Sequence, residues 1–267
     1  MADAGFEASE RLAKMANEET GFGIWEDKVL KNQFGSRDVY NSIKDLKTVG
    51  VIDVQANGKI VKIAEPMGVV AALIPSTNPT STAFFKALIS LKTRNSIVAS
   101  PHPKAVKCTS EALKIMSDAA VAAGAPKDLI HCMTTPTLEG TEALMKHKDV
   151  AVILATGSTP MVKAAYSKEE PLSVEKLSPI LAFYTVDGWL EGCHKCIDLL
   201  NFGGVGHTMS IHSSDQEIIM KFALEKPAFR IVVNSPSSLG AVGYTTALNP
   251  SMTLGVGTWG GSIISEN

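Results

Sequence analysis

The chain has 267 residues, of which 45% are hydrophobic and 19% charged, and its formal net charge is −2. This composition is typical of a globular protein with one large or two smaller domains, and it excludes a disordered or fibrous chain. The net charge shows no excess of basic residues that would indicate nucleic-acid binding. No apolar run approaches the roughly 18 residues that a membrane span needs. We therefore expect neither a nucleic-acid partner nor a membrane.

The cysteines are few and irregularly spaced, which predicts a reduced cytoplasmic protein rather than a disulfide framework. Two of them have C-x-x-C spacing but fall within a predicted helix, and no second Cys or His pair has zinc-ligand spacing. Structural thiols, and no metal site, are therefore expected. The four are Cys108, Cys132, Cys193 and Cys196.

The N-terminal part predicts two helices and a hairpin. Residues 4–19 and 24–47 have helical apolar spacing. The runs Val49–Val54 and Lys59–Ile63 are β-prone and are joined through Asn57-Gly58, a pair that favours a type I′ turn. The hairpin, about 49–64, is either an arm for pairing with another subunit or an ordinary surface ribbon.

The next stretch predicts a strand–loop–helix repeat. The apolar run Gly68–Pro75 predicts a buried strand, Asn78 stands at an N-cap position, and Pro79 suits the first turn of a helix buried on one side. A second strand, Ser96–Ala99, precedes a helix that starts at Pro103. Parallel pairing of the two strands is the simplest interpretation, because a helix connects them. In parallel sheets, ligands bind at the loops that follow the strands.

The remaining elements extend this pattern. Strands over 128–133 and 150–155 and a helix over 138–147 complete a doubly wound parallel α/β domain. Gly157-Ser158-Thr159-Pro160 is either a site for a cofactor phosphate or a plain turn. After Lys168 the predicted elements are a strand over Leu177–Val186, a helix over Trp189–Leu200, a glycine-rich loop over Asn201–His207, a strand over Thr208–His212, a helix over Asp215–Leu224 and a strand over Phe229–Val233.

Motifs distributed along the chain resemble those of the acylating, coenzyme A-dependent aldehyde dehydrogenases. They occur in the order IPSTNPTSTAFFK, LKTRN, SPHPKA, ILATGSTPMVKAAYS, EKLSP, NFGGVGHT, RIVVNSP and PSMTLGVGTWGGSIISEN. The group includes the acetaldehyde dehydrogenases of ethanolamine utilisation and the aldehyde half of bifunctional aldehyde–alcohol dehydrogenases. The resemblance implies a Rossmann-type NAD-binding domain over 1–167. It also implies that 168–267 are the remnant of a second α/β catalytic domain with an oligomerisation tail.

The resemblance also implies a reaction. A small aldehyde, coenzyme A and NAD are reversibly converted into acyl-CoA and NADH through a thioester on a cysteine. Asn78 matches the asparagine whose amide stabilises the oxyanion, and His207 matches a position near the active site. A homo-oligomer, dimer or tetramer, is implied, in the cytoplasm or inside a bacterial microcompartment. The residues that match cofactor-binding positions are Ile74, Pro75, Ser76, Thr77, His102, Pro103, Lys104, Gly157, Ser158 and Glu175.

The sequence departs from the family at the nucleophile. The segment that carries it should follow AAYS, but Ser167 runs directly into Lys168, and none of the four cysteines matches it. We favour the interpretation that nucleophile-bearing residues are missing between Ser167 and Lys168, since removing the centre of a fold exposes apolar surface. Two alternatives remain. The deletion is real and the product is an inactive cofactor-binding or assembly subunit, or the chain is another superfamily enzyme such as a phosphate-dependent semialdehyde reductase.

Overall fold

The structure, a computed structural model, describes residues 1–55, 60–156, 184–203, 206–225 and 228–252. The described residues up to 156, together with 249–252, form one compact unit, and those between 184 and 248 form a second. Within these ranges no helix has the length and apolar character needed to cross a bilayer.

The first unit begins with a set of short helices. These are α1 (Ala2–Glu7), α2 (Ser9–Thr20), α3 (Trp25–Gln33), a π-helical turn (Phe34–Asp38) and α4 (Val39–Ile43). The single helix predicted over 24–47 is therefore interrupted, and it ends at Ile43. The π-helical turn packs tightly, because a Cβ on Gly35 would lie 2.8 Å from the Ser81 carbonyl oxygen. Only glycine allows this approach.

The predicted hairpin is confirmed. Strands β1 (Gly50–Gln55) and β2 (Ile60–Ala64) pair antiparallel, with Gly50 opposite Ala64. The Asn57-Gly58 turn lies outside the described residues.

A four-stranded parallel sheet forms the centre of the first unit. Its strands are β3 (Val69–Ile74), β4 (Ser96–Pro101), β5 (Ile130–Cys132) and β6 (Val150–Leu154). Their order is β5-β4-β3-β6. The chain thus moves outward from β3 through β4 to β5, then returns to the opposite side of β3. The point where the direction reverses lies between β3 and β6, which is where open α/β sheets bind ligands.

Helices alternate with the strands, as predicted for an α/β domain. They are α5 (Pro79–Lys92), α6 (Val106–Ala122, after a 3₁₀ turn at Pro103–Ala105) and α7 (Leu138–Lys146). Val70 and Ala72 of β3 pack with Phe84 and Leu88 of α5 in the main core. The prediction that α5 is buried on one side was wrong, because every residue from Pro79 to Leu88 is buried. The N-terminal helices α1 to α4 also pack on this part of the chain, so α5 is a central helix.

The second unit contains a smaller parallel arrangement. Its elements are α8 (Trp189–Gly203), β7 (Gly206–Ile211), α9 (Gln216–Glu225), β8 (Ala228–Val233) and α10 (Ser237–Ala241). β7 and β8 pair parallel, and Cys193, Met209 and Phe222 form the core of this unit. The predicted glycine-rich loop over 201–207 was wrong in extent, since α8 continues to Gly203 and β7 starts at Gly206. His207 therefore lies in a strand, because the parallel ladder begins where Gly206 pairs with Ala228.

Candidate active site

Two loops meet at the carboxyl edge of the parallel sheet. Residues 75–78 follow β3, and residues 102–104 follow β4. The backbone N–H of His102 donates to the Ile74 carbonyl over 2.8 Å, which joins the two strand ends. The sequence predicted both loops as cofactor-binding, and the structure places them side by side.

Asn78 lies between β3 and α5 and is half-buried. It occupies the N-cap position of α5, as predicted, but its side chain makes no capping hydrogen bond. Instead its Oδ1 accepts a hydrogen bond from Lys31 Nζ over 3.0 Å, and its Nδ2 has a long contact of 3.4 Å to Thr77 Oγ1. The amide group of Asn78 therefore contacts α3 and the loop after β3 rather than capping α5.

Helix α3 contacts this loop and the first turn of α5 through polar side chains on one face. Lys28 Nζ donates to the Thr77 carbonyl over 2.8 Å, and Thr80 Oγ1 donates to Asn32 Oδ1 over 2.6 Å. Lys28 and Asn32 are 5% and 1% exposed. Burial lowers the pKa of Lys28, and the neighbouring charge of Lys31 lowers it further. This face was not predicted from the sequence, because lysines at helical spacing usually line a solvated surface.

Lys86 is a fully buried amine beneath the same edge. Its Nζ donates to the Leu73 carbonyl over 2.7 Å and to the Leu154 carbonyl over 2.6 Å, so it connects the carboxyl ends of β3 and β6. Burial lowers its pKa to about 7. The amine has enough N–H donors for both carbonyl acceptors. This residue was not predicted from the sequence, although its position among apolar and small residues in AFFKAL is typical of a buried residue.

The other predicted site residues have different surroundings. Ile74 is buried in the main core, whereas His102, Pro103 and Lys104 are exposed, with His102 Nδ1 accepting the Lys104 backbone N–H over 3.1 Å. Pro75, Ser76 and Thr77 are half-buried in the loop after β3. Gly157, Ser158 and Glu175 lie outside the described residues. His207 belongs to the second unit, where only its place in β7 is described.

The four cysteines are buried or partly buried, and two of them have thiols disfavoured as nucleophiles. Cys108 and Cys193 are buried, and Cys132 and Cys196 are partly buried. Burial raises the pKa of the Cys108 thiol, where Glu19 adds to the effect, and also that of Cys132. A raised thiol pKa reduces the thiolate population that attacks a carbonyl. Among the described residues, no group of His, Cys, Asp and Glu side chains could hold a metal ion.

Residues 1–178 match the model of the aldehyde dehydrogenase family. The chain belongs to this family. It is 33% identical to the bifunctional aldehyde-alcohol dehydrogenase of Escherichia coli K12, over 96% of this chain and 43% of that protein. It therefore spans less than half the length of that relative.

Two crystal structures are also similar. A probable aldehyde dehydrogenase from Listeria monocytogenes EGD-e is 40% identical, with a TM-score of 0.90 over 98% of this chain and 85% of that one. An acetylating aldehyde dehydrogenase from Geobacillus thermoglucosidasius is 38% identical, with a TM-score of 0.91 over 100% and 86%. Both extend the similarity across the whole chain, including the second unit.

The alignment with the Escherichia coli enzyme supports an internal gap. It runs over 384 positions, whereas this chain has 267 residues, so at least 117 aligned positions have no residue of this chain opposite them. A gap of this size is expected if the segment between Ser167 and Lys168 is missing.

Proposed function

We propose that this chain carries the NAD-binding part and the end of the catalytic part of a CoA-acylating aldehyde dehydrogenase, which converts a short aldehyde, coenzyme A and NAD into acyl-CoA and NADH. The observation that carries the proposal is the position of Asn78 at the carboxyl edge of the sheet. There its amide stands next to the N-terminus of α5, whose dipole favours negative charge. The activities named for the relatives agree with this chemistry.

The edge of the sheet fits a dinucleotide. The reversal of strand order between β3 and β6 is the position where such cofactors bind in parallel sheets. A dinucleotide at this edge can contact the exposed His102 and Lys104 and the half-buried Pro75–Thr77 loop. Ile74 is buried in the core, so it can only support the loop from below. NAD, when bound, supplies the hydride acceptor. In this proposal Gly157, Ser158 and Glu175 also hold it.

In this proposal, residues of this chain stabilise the negative charge on the aldehyde oxygen and hold the surrounding strand ends in position. Asn78 Nδ2 donates a hydrogen bond to the aldehyde oxygen as negative charge develops there, which is typically worth a factor of about 10²–10³ in kcat. Lys86 holds the ends of β3 and β6 together below this point. His207 is proposed to lie near the coenzyme A side of the reaction. The thiolate that forms the thioester comes from the missing segment.

The test is to restore that segment. The restored chain is the 267-residue chain with the corresponding segment of the Geobacillus thermoglucosidasius enzyme inserted between Ser167 and Lys168. With acetaldehyde, coenzyme A and NAD it should form NADH, followed by absorbance at 340 nm, and the 267-residue chain should not. The control is the restored chain with the inserted nucleophilic cysteine changed to alanine. Turnover by the 267-residue chain, or none by the restored chain, contradicts the proposal.

A second function is favoured by the lack of a fully exposed cysteine among the four. In this alternative the gap is native, and the chain is an inactive cofactor-binding or assembly subunit. NADH binding by the 267-residue chain, measured by fluorescence, together with an inert restored chain would support it.

We further propose a homo-oligomer, dimer or tetramer, formed through the β1–β2 hairpin. The four free thiols agree with a cytoplasmic protein, either dispersed or within a bacterial microcompartment.

A further inference from the structure

Three side chains of α3 form a polar face against the loop that carries Asn78. Lys28, Lys31 and Asn32 stand at helical positions i, i+3 and i+4, and therefore on one side of the helix. They contact the Thr77 carbonyl, Asn78 Oδ1 and the Thr80 hydroxyl, respectively. Asn32 Nδ2 also donates to the Ser9 carbonyl over 2.9 Å, which fixes α3 to α2. We call Lys28, Lys31 and Asn32 the α3 clamp.

The chemistry of lysine determines which end of the Asn78 amide it contacts. A carboxamide has an oxygen that accepts and a nitrogen that donates, and the two ends have nearly the same shape. An ammonium group has donors only, so it attracts the oxygen and repels the NH₂ group. With Oδ1 held by Lys31, Nδ2 must point away from α3.

Nδ2 then retains donor capacity. It carries two hydrogens, and its contact within the described residues is the long one, 3.4 Å to Thr77 Oγ1. A hydrogen bond at this distance is weak, so an incoming negatively charged oxygen competes with it easily.

We propose that Lys31 is a positioning residue that holds the Asn78 amide with its NH₂ group toward the reacting aldehyde, while Lys28 and Asn32 anchor α3 to the loop. The catalytic part of this inference rests on the proposed function, because the oxyanion role of Asn78 belongs to that proposal. The orientation of the amide stands on the contacts of the α3 clamp. Lys31 itself is exposed and contacts Asn78 Oδ1, the end of the amide opposite the NH₂ group that is proposed to face the substrate.

The first experiment needs no activity. The side-chain ¹⁵N–¹H resonances of Asn78, assigned by their loss in Asn78→Ala, are recorded in the 267-residue chain. Lys31→Met should move them, since the charged hydrogen bond to Oδ1 is lost, whereas Lys31→Arg should keep them near the wild-type position. Lys114→Met removes an exposed lysine that pairs with Asp118 on α6, and it should leave them unchanged. Resonances that do not respond to Lys31→Met overturn the proposal whatever the protein catalyses.

The second experiment uses the restored chain. Lys31→Met should lower kcat by about 10-fold or more with little change in the KM for NAD, and Lys31→Arg should recover most of the loss. In the Asn78→Ala background, Lys31→Met should have no further effect, because its target is gone. If the losses in kcat from Lys31→Met and Asn78→Ala add in the double variant, the proposal is overturned. It is also overturned if Lys31→Met and Lys31→Arg lose equal activity and both lower the melting temperature, because Lys31 then has only a structural role. If Asn78→Ala keeps wild-type kcat, the oxyanion role fails, and the NMR response then shows whether the amide orientation survives alone.

Discussion

At the scale of single residues, the structure adds two lysines to the site that the sequence predicted. Asn78 was identified from its match to the oxyanion asparagine, because that role has a recognisable motif. Lys31 and Lys86 act through contacts between residues 47 and 68 positions apart, to Asn78 and Leu154. Local sequence patterns do not predict contacts between residues this far apart, so these contacts are known only from the folded structure.

Lys86 should make the stability of the protein depend on pH. Its pKa is lowered from 10.5 to about 7 by burial, so between these values the unfolded chain binds a proton that the folded chain does not. Linkage then makes the free energy of unfolding rise with pH across this window, by up to about 1.4 kcal/mol per pH unit from this group. Below about pH 7 both states are protonated, and the contribution becomes constant.

The measurement is urea unfolding of the 267-residue chain from pH 6 to 10.5, compared with Lys86→Met. The variant keeps most of the buried stem, loses the titrating group and leaves two strand-end carbonyls without their donor. It should be less stable overall, and its profile should lack the rise that the wild type shows. Parallel profiles for the two proteins would mean that Lys86 stays charged in the folded state.

At the scale of elements, most of the fold followed from periodicity. The hairpin, the four strands of the first unit and the βαβ arrangement of the second were predicted near their observed bounds, because apolar runs and turn residues specify them locally. The break in the helix over 24–47 was not predicted. At this point Gly35 packs closely against Ser81, which lies far along the chain, so local spacing does not reveal the contact. The extent of the loop near His207 was missed because glycines alone suggested irregular structure.

The hairpin is the element that should form the subunit interface. Its apolar side chains are each between 40% and 60% exposed, and two strands alone bury little area. Exposed β-branched residues on an unprotected ribbon favour pairing with another chain. They are Val51, Ile52, Val54, Ile60, Val61 and Ile63.

We expect the double variant Val54→Asp/Ile63→Asp to dissociate the oligomer to a monomer of 28.3 kDa, measured by light scattering after size exclusion. Carboxylates buried between two paired ribbons would carry a large desolvation penalty. Leu138→Asp, on a side chain of α7 that is 78% exposed, is the matched control and should keep the wild-type mass. A wild-type monomer, or an unchanged mass in the double variant, contradicts the interface.

At the scale of the whole molecule, the described residues of the second unit form only a small parallel sheet. Parallel sheets are normally large and covered on both faces, whereas its described residues provide two paired strands. Several large apolar side chains remain exposed around them. Leu190, Met220, Leu224 and Tyr244 are 52%, 54%, 78% and 58% exposed. If the proposed missing segment belongs to this unit, we expect it to cover this apolar surface.

Restoring the segment should therefore change the surface as well as the activity. In the Val54→Asp/Ile63→Asp background, which removes the apolar contribution of the hairpin, the 267-residue chain should bind the apolar dye ANS strongly. The restored chain should bind less and melt at a higher temperature, because apolar area leaves water. The restored chain with its cysteine changed to alanine should match it in both, since burial does not need the thiol. Equal dye binding with and without the segment would mean that the segment does not cover the exposed apolar side chains of the second unit. The native-gap interpretation, an inactive subunit stable without the nucleophile-bearing segment, would then be preferred.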